Sequence, residues 1–212
     1  MVNIMDNFDP KKGTTTVALV GTDGVVMAAD MRASMGYLIA NKEAEKVNII
    51  DDHMAMTIAG SVGDAQTLIR WMRAETSLYK MNNKKGMPIK SASTLLANIL
   101  QGNKYYPFMV QLLLGGYDYQ DGPSVYSLDA IGGVTTEKYT STGSGSPVAY
   151  GYLESHYKTG LTIKELLPVA VNAIATAMKR DIATGDGINL ISISKNGYIQ
   201  YSKEQIESLI SK

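Results

Sequence analysis

TTTVALVGTDGVVMAAD, residues 14–30, holds two β-rich apolar runs joined by Thr22-Asp23-Gly24. Asp-Gly between apolar runs is a strong hairpin signal, because tight hairpin turns need positive φ and glycine supplies it at little steric cost. The chain therefore opens on an antiparallel pair. GYLIANKEAEKVNIIDDHMAMTIAG, residues 36–60, continues with three short strand candidates, broken at NKEAEK and at DDH.

After Gly60 the period changes. Ser61 and Asp64 form a capping-box-like helix start, with Asp in the usual Glu/Gln place. Leu68, Ile69, Met72 and Leu78 follow at mostly helical spacing. PIKSASTLLANILQG predicts a second helix, with Pro88 near its first turn and Gly102 near its end. Strands resume with FMVQLLLGGYD, PSVYSLDAIGG and TTEKYTSTG. Ser146 and Pro147 read as N-cap and N1 of a third helix. Thr162 and Glu165 form a capping box before a long helix with Ile163, Leu166, Leu167, Ala170, Val171, Ile174 and Met178 on one face. GINLISIS and GYIQYS pair around Lys195-Asn196-Gly197, and KEQIESLISK predicts a final short helix. The order is strands, two helices, strands, two helices, strands, helix. Without βαβα alternation, linker or repeat, this predicts one α+β domain of antiparallel sheets with helices outside.

Bulk properties narrow the function. The 212 residues hold 20 Lys plus Arg against 20 Asp plus Glu, a formal net charge of +0. Nothing overall draws such a chain to nucleic acid or an anionic membrane. It has no cysteine, which excludes disulfides, thiolate nucleophiles and Cys-based zinc sites and fits a reducing cytoplasm. No apolar run approaches the roughly 20 residues of a membrane span. MVNIMDNFDPKKG, residues 1–13, is polar, lacks a signal peptide's apolar region, and reads as a flexible leader.

Histidine chemistry is scarce. His53 sits in a polar turn and His156 in a tyrosine-flanked helix; neither has metal-ligand spacing or a Gly-x-Ser-x-Gly elbow beside it. GSGSP at 143–147 lacks the spacing and Gly-Lys-Ser/Thr ending of a phosphate loop. Gly13-Thr14 offers another chemistry. A threonine hydroxyl is a weak nucleophile without a base. Cutting after Gly13 would give Thr14 a free α-amine, of reference pKa about 7.7–8.0, able to take the hydroxyl proton near neutral pH. Gly13, lacking a Cβ, tolerates the bend that lets Thr14 Oγ reach its carbonyl. An N-to-O acyl shift and hydrolysis would then release residues 1–13. On these residues alone, a threonine-rich edge strand after a tail is an equal reading.

GTTTVALV, MTIAGSVGDAQ, STGSGSP, YGYLES and RDIATGDGI, in this order, resemble the proteasome β subunits of the archaeal type, members of the N-terminal nucleophile hydrolases. The resemblance runs from Thr14 to the C-terminal helix. It implies a four-layer αββα sandwich, two antiparallel sheets between helical layers, with residues 1–13 a propeptide removed by autocleavage and 14–212 the catalytic domain.

The resemblance also implies site roles. Thr14 matches the nucleophile, Asp30 its acidic partner and Lys46 the fixed ammonium. Ser144 matches the serine holding the Thr14 amine, and Asp181 the carboxylate orienting it. Thr184 stands where the family usually has serine, and keeps the hydroxyl. Gly60 matches the backbone oxyanion donor. Ala33, Ala44, Ile58 and Val62 match an uncharged specificity pocket, implying a chymotrypsin-like preference, and Ser34 matches a position that bonds the extended substrate backbone. No cofactor or metal is implied. Implied partners are a homo-heptameric β ring stacked on a second, capping α-subunit rings, a regulatory ATPase acting through them, and unfolded polypeptide. A bacterial-type ring threonine protease, a non-catalytic ring subunit and a small-substrate amidase of the same broad fold are the rivals.

Overall fold

A computed structural model describes residues 13–210; the leader, apart from Gly13, lies outside the described residues. The strands are β1 (Thr16–Val20), β2 (Gly24–Asp30), β3 (Ala33–Met35), β4 (Leu38–Asn41), β5 (Val47–Asp51) and β6 (Met54–Gly60), then β7 (Val110–Asp118), β8 (Gly122–Leu128), β9 (Val134–Glu137), β10 (Tyr139–Thr142), β11 (Ile188–Ser194) and β12 (Gly197–Gln200). The helices are α1 (Val62–Asn83), α2 (Ile89–Gly102), α3 (Ser146–His156), α4 (Ile163–Met178) and α5 (Lys203–Leu209).

The strands form two five-stranded antiparallel sheets, β10-β1-β2-β11-β12 and β5-β6-β7-β8-β9, and a small β3-β4 ribbon. Period-two alternation decides the layers. Along β1 and β2, Val17, Leu19, Val26 and Ala28 pack under α3, α4 and α5. The intervening Ala18, Val25 and Met27 meet Ala55, Leu113 and Val125 of the other sheet. The outer face of that sheet, with Met54, Met56, Leu112 and Leu114, is covered by Leu68 and Met72 of α1 and Leu96 and Leu100 of α2. The result is helix, sheet, sheet, helix: the αββα sandwich expected from the resemblance.

The sheets approach closely at Gly115 of β7. A Cβ there would stand 3.0 Å from Met27 Sδ and 3.2 Å from both Val25 Cγ1 and Val125 Cγ2. Gly115→Ala should overpack this interior and cost about 1–3 kcal/mol, read as a lowered midpoint in thermal unfolding; an unchanged midpoint would show that the interface has slack.

Several local expectations shift. The ribbon strand β3 precedes the segment read as strands. TTEKYTSTG is not one strand: it breaks at Lys138, sending β9 to one sheet edge and β10 to the edge of the other. Ser61 occupies the N-cap of α1, but its side chain makes no capping bond. The Asp64 carboxylate instead accepts the Met109 N–H at 2.9 Å, tying α1 to the start of β7. Leu78 is exposed rather than core, and α3 begins one residue early, with Gly145 as N-cap. Glu165 behaves as expected: Thr162 donates its N–H and its hydroxyl to the carboxylate at 2.8 and 2.7 Å, which holds Glu165 below the usual carboxyl range. Among the described residues no helix is long and apolar enough to cross a membrane.

Candidate active site

The ladder brings the site together. Thr16 pairs with Ala29 on one side and Thr142 on the other, and Ile188 pairs with Asp30. The start of β1, the end of β2, the end of β10 and the start of β11 therefore share one end of the sheet. Thr14, Asp30, Ser144 and the 181–187 loop all hang from it.

Each threonine of the triplet has its own bonds. Thr14 Oγ1 donates to the Gly13 carbonyl oxygen at 2.7 Å, and the Thr14 amide N–H donates to Ser144 Oγ at 3.2 Å. Thr15 donates its N–H to Asp30 Oδ1 at 2.9 Å, and its hydroxyl lies 2.8 Å from the Thr184 hydroxyl. Thr16 Oγ1 meets Thr142 Oγ1 at 2.7 Å and accepts from Thr57 Oγ1 of the facing sheet at 3.2 Å. All three threonines are buried, where an unpaired hydroxyl would be costly.

Asp30 is fully buried and saturated with donors. Oδ1 accepts Thr15 N–H and Lys46 Nζ, the latter at 2.7 Å; Oδ2 accepts the N–H groups of Arg32 and Gly185. Lys46 is also buried. Burial pushes its pKa below the ordinary lysine value, while the Asp30 carboxylate opposes that fall. Lys46 bonds to Asp30 rather than to Thr14, so Asp30 links the ammonium to the Thr15 backbone.

Asp181 Oδ2 accepts from both Ser144 Oγ at 2.5 Å and Thr184 Oγ1 at 2.6 Å. A continuous relay thus runs from the Thr14 nitrogen through Ser144 to Asp181 and Thr184. Gly143, with φ of 92°, makes the turn possible: a Cβ there would stand 2.1 Å from the Thr14 carbonyl oxygen. Arg32 braces the opposite wall. Its Nε pairs with Asp186 Oδ2 at 2.6 Å, and its Nη1 donates to the Ile182 carbonyl at 2.8 Å. The guanidinium holds Asp186 below the usual carboxylate range.

Gly13 and Thr14 open on a cavity of about 680 Å³. Ala33, Ser34, Ala44, Lys46, Ile58, Gly60 and Val62 all line it, whereas Asp30, Ser144, Asp181 and Thr184 do not line it and reach Thr14 and Thr15 only through the hydrogen bonds above. Asn48 and Gln66, which the sequence reading did not single out, line it too, and Asn48 Nδ2 is buried without a partner. Among the described residues no cluster of three or more His, Asp or Glu could hold a metal ion.

The four-layer αββα sandwich is the architecture that the resemblance to proteasome subunits implies. The family model described as "Proteasome subunit" matches residues 10–193, and the chain belongs to that family. As a member it is a subunit of a proteasome, assembling with other subunits of that protease. Within the family it is similar, over nearly its whole length, to archaeal proteins named proteasome subunit beta. It is 54% identical to that of Methanococcus vannielii over 95% of this chain and 92% of the relative. With that of Methanosarcina barkeri the identity is 51%, over 97% of each. For Methanocaldococcus vulcanius it is 50%, over 96% and 92%.

Proposed function

We propose that this chain is the catalytic β subunit of a proteasome core particle, a threonine endopeptidase that activates itself by cutting between Gly13 and Thr14. The observation that carries the reading is the 2.7 Å bond from Thr14 Oγ1 to the Gly13 carbonyl oxygen, with the Thr14 N–H donating to Ser144 Oγ, which in turn donates to Asp181. In self-scission Thr14 Oγ1 attacks the Gly13 carbonyl carbon. The C–N bond breaks, the nitrogen takes up a proton and leaves as an amine, and an ester remains. Water hydrolyses the ester, releasing residues 1–13 with a new carboxylate at Gly13.

The liberated amine then serves as base on the residue whose oxygen attacks substrate. It accepts the hydroxyl proton as Oγ1 adds to a peptide carbonyl, and returns it to the departing amine. Water resolves the acyl-enzyme. The Lys46 ammonium lowers the cost of negative charge developing at Oγ1, Asp30 holds that ammonium, and Ser144, Asp181 and Thr184 orient the amine. The backbone at Gly60 faces the oxyanion; a donor of this kind contributes about 10²- to 10³-fold in rate. Ala33, Ala44, Ile58 and Val62 give a chymotrypsin-like preference for large apolar residues. Such pockets discriminate by only about 1–3 kcal/mol per methylene, so cutting is broad. Ser34 bonds the extended substrate.

The remaining assignments follow the family resemblance: a cytoplasmic homo-heptameric β ring stacked on its twin, capped by α rings, and fed unfolded polypeptide by an ATPase. Intact-mass measurement of the chain co-assembled with its α subunits tests the central claim. The expected mass is that of residues 14–212. A peptidase-active particle whose β chains still begin at Met1 would refute it.

A further inference from the structure

Gly13 is buried against the 181–187 loop. A Cβ built on it would stand 1.6 Å from Ala183 Cβ, 2.7 Å from Ala183 Cα and 2.9 Å from the Ala183 carbonyl carbon. No side chain fits without displacing one wall. The Gly13 wall is fixed, because its N–H donates to Ser34 Oγ at 2.9 Å and its carbonyl accepts Thr14 Oγ1. The Ala183 wall is fixed as well. Ala183 N–H donates to Asp181 Oδ1, the Ile182 carbonyl is held by Arg32, and Gly185 N–H donates to Asp30 Oδ2. Retreat of Ala183 would pull on the groups that hold Ser144 and Lys46.

We infer that Ala183 is a specificity-determining residue for self-scission: its methyl group, the nearest part of a wall that continues into its Cα and carbonyl carbon, forms the steric filter that selects glycine as the last residue of the leader, and so keeps the residue-13 carbonyl seated on Thr14 Oγ1. The inference rests on the proposed cut between Gly13 and Thr14 and adds what selects the residue before it. The filter acts on the precursor alone, since residue 13 leaves with the leader.

Four chains co-assembled with α subunits test it: wild type, Gly13→Ala, Ala183→Gly and the double variant. Leader loss is followed in assembled particles by intact mass over time. Gly13→Ala should lose its leader at least about tenfold more slowly, the rate equivalent of overpacking a tight contact. Ala183→Gly alone should process within about twofold of wild type, because Gly13 asks nothing of that methyl. The double variant should recover at least about threefold over Gly13→Ala, and only in part, because the 2.7 Å approach to the residue-183 Cα remains. Once processed, Gly13→Ala and wild type are the same molecule, so peptidase activity per processed subunit should be equal and separates filtering from damage. Wild-type processing in Gly13→Ala, or a double variant no faster than the single, overturns the filter. Wild-type particles that digest peptides with the leader attached overturn the underlying cut instead. As a second handle, Ala183→Val with Gly13 intact should also slow leader loss; processing at the wild-type rate would count against the filter.

Discussion

Thr14→Ala is expected to give a particle that keeps residues 1–13 and loses at least about 10⁴-fold in kcat/KM, the scale on which removal of a covalent nucleophile acts. Both losses come from one atom. Oγ1 is the group aimed at the Gly13 carbonyl, and it is the group that would attack substrate. Folding should survive, because the bond deleted is local while the Thr15 and Thr16 hydroxyls keep their partners on Thr184 and Thr142. Thr14→Ser separates the two contributions of the side chain. It keeps the oxygen and loses the methyl that restricts χ1, so it should process and cut, more slowly. Intact mass and fluorogenic peptide hydrolysis read both variants. A Thr14→Ala chain that sheds its leader, or digests peptide, would remove Thr14 from the chemistry altogether.

Much of this was legible in the sequence where the signal is local. Asp23-Gly24, the Thr162–Glu165 box and the 3.6 period of α4 each encode structure within a few residues, and each appears where expected. What failed depends on distant partners. Whether TTEKYTSTG stays one strand is decided by two sheet edges, β8 just before it and β1 far back in the chain, which claim its two halves for different sheets. Asp64 looked like a capping residue and was claimed by Met109, 45 residues away. The site divides the same way. Gly13-Thr14 offers a chemistry, because nucleophile and base would share one residue, but on those residues alone a threonine-rich edge strand reads equally well. Asp30 and Lys46 are 16 residues apart and Ser144 and Asp181 37, so nothing local pairs them, and only the family resemblance brings them together. Arg32 and Ala183 carried no signal, since their importance lies in a loop that only the folded ladder delivers to Gly13.

The Asp30–Lys46 pair should give the second large effect, and an unequal one. Asp30→Asn keeps the shape but turns one oxygen into an NH₂ group facing N–H donors, and it leaves the Lys46 ammonium buried without a counter-charge. Breaking a buried pair in this way costs about 3–5 kcal/mol. Lys46→Met should cost less, because Asp30 still accepts three backbone N–H bonds, from Thr15, Arg32 and Gly185. Peptidase activity should collapse in both. The pH dependence carries the sign. The folded-state pKa of Lys46 lies below its ordinary value because burial outweighs Asp30. The unfolded chain therefore binds the extra proton in the window between the two, and stability gains from this group as pH rises through that window. Activity moves the other way: as pH rises through the lowered pKa the ammonium is lost, and kcat/KM should fall on the alkaline side before free lysine would titrate. In residual Asp30→Asn activity the alkaline limb should lie at still lower pH, because the group that opposed desolvation is gone. Unfolding midpoints and pH–rate profiles of the two variants decide it. Equal destabilisation, or an alkaline limb that Asp30→Asn does not move, would mean that Asp30 organises the backbone and leaves the charge on Lys46 to other groups.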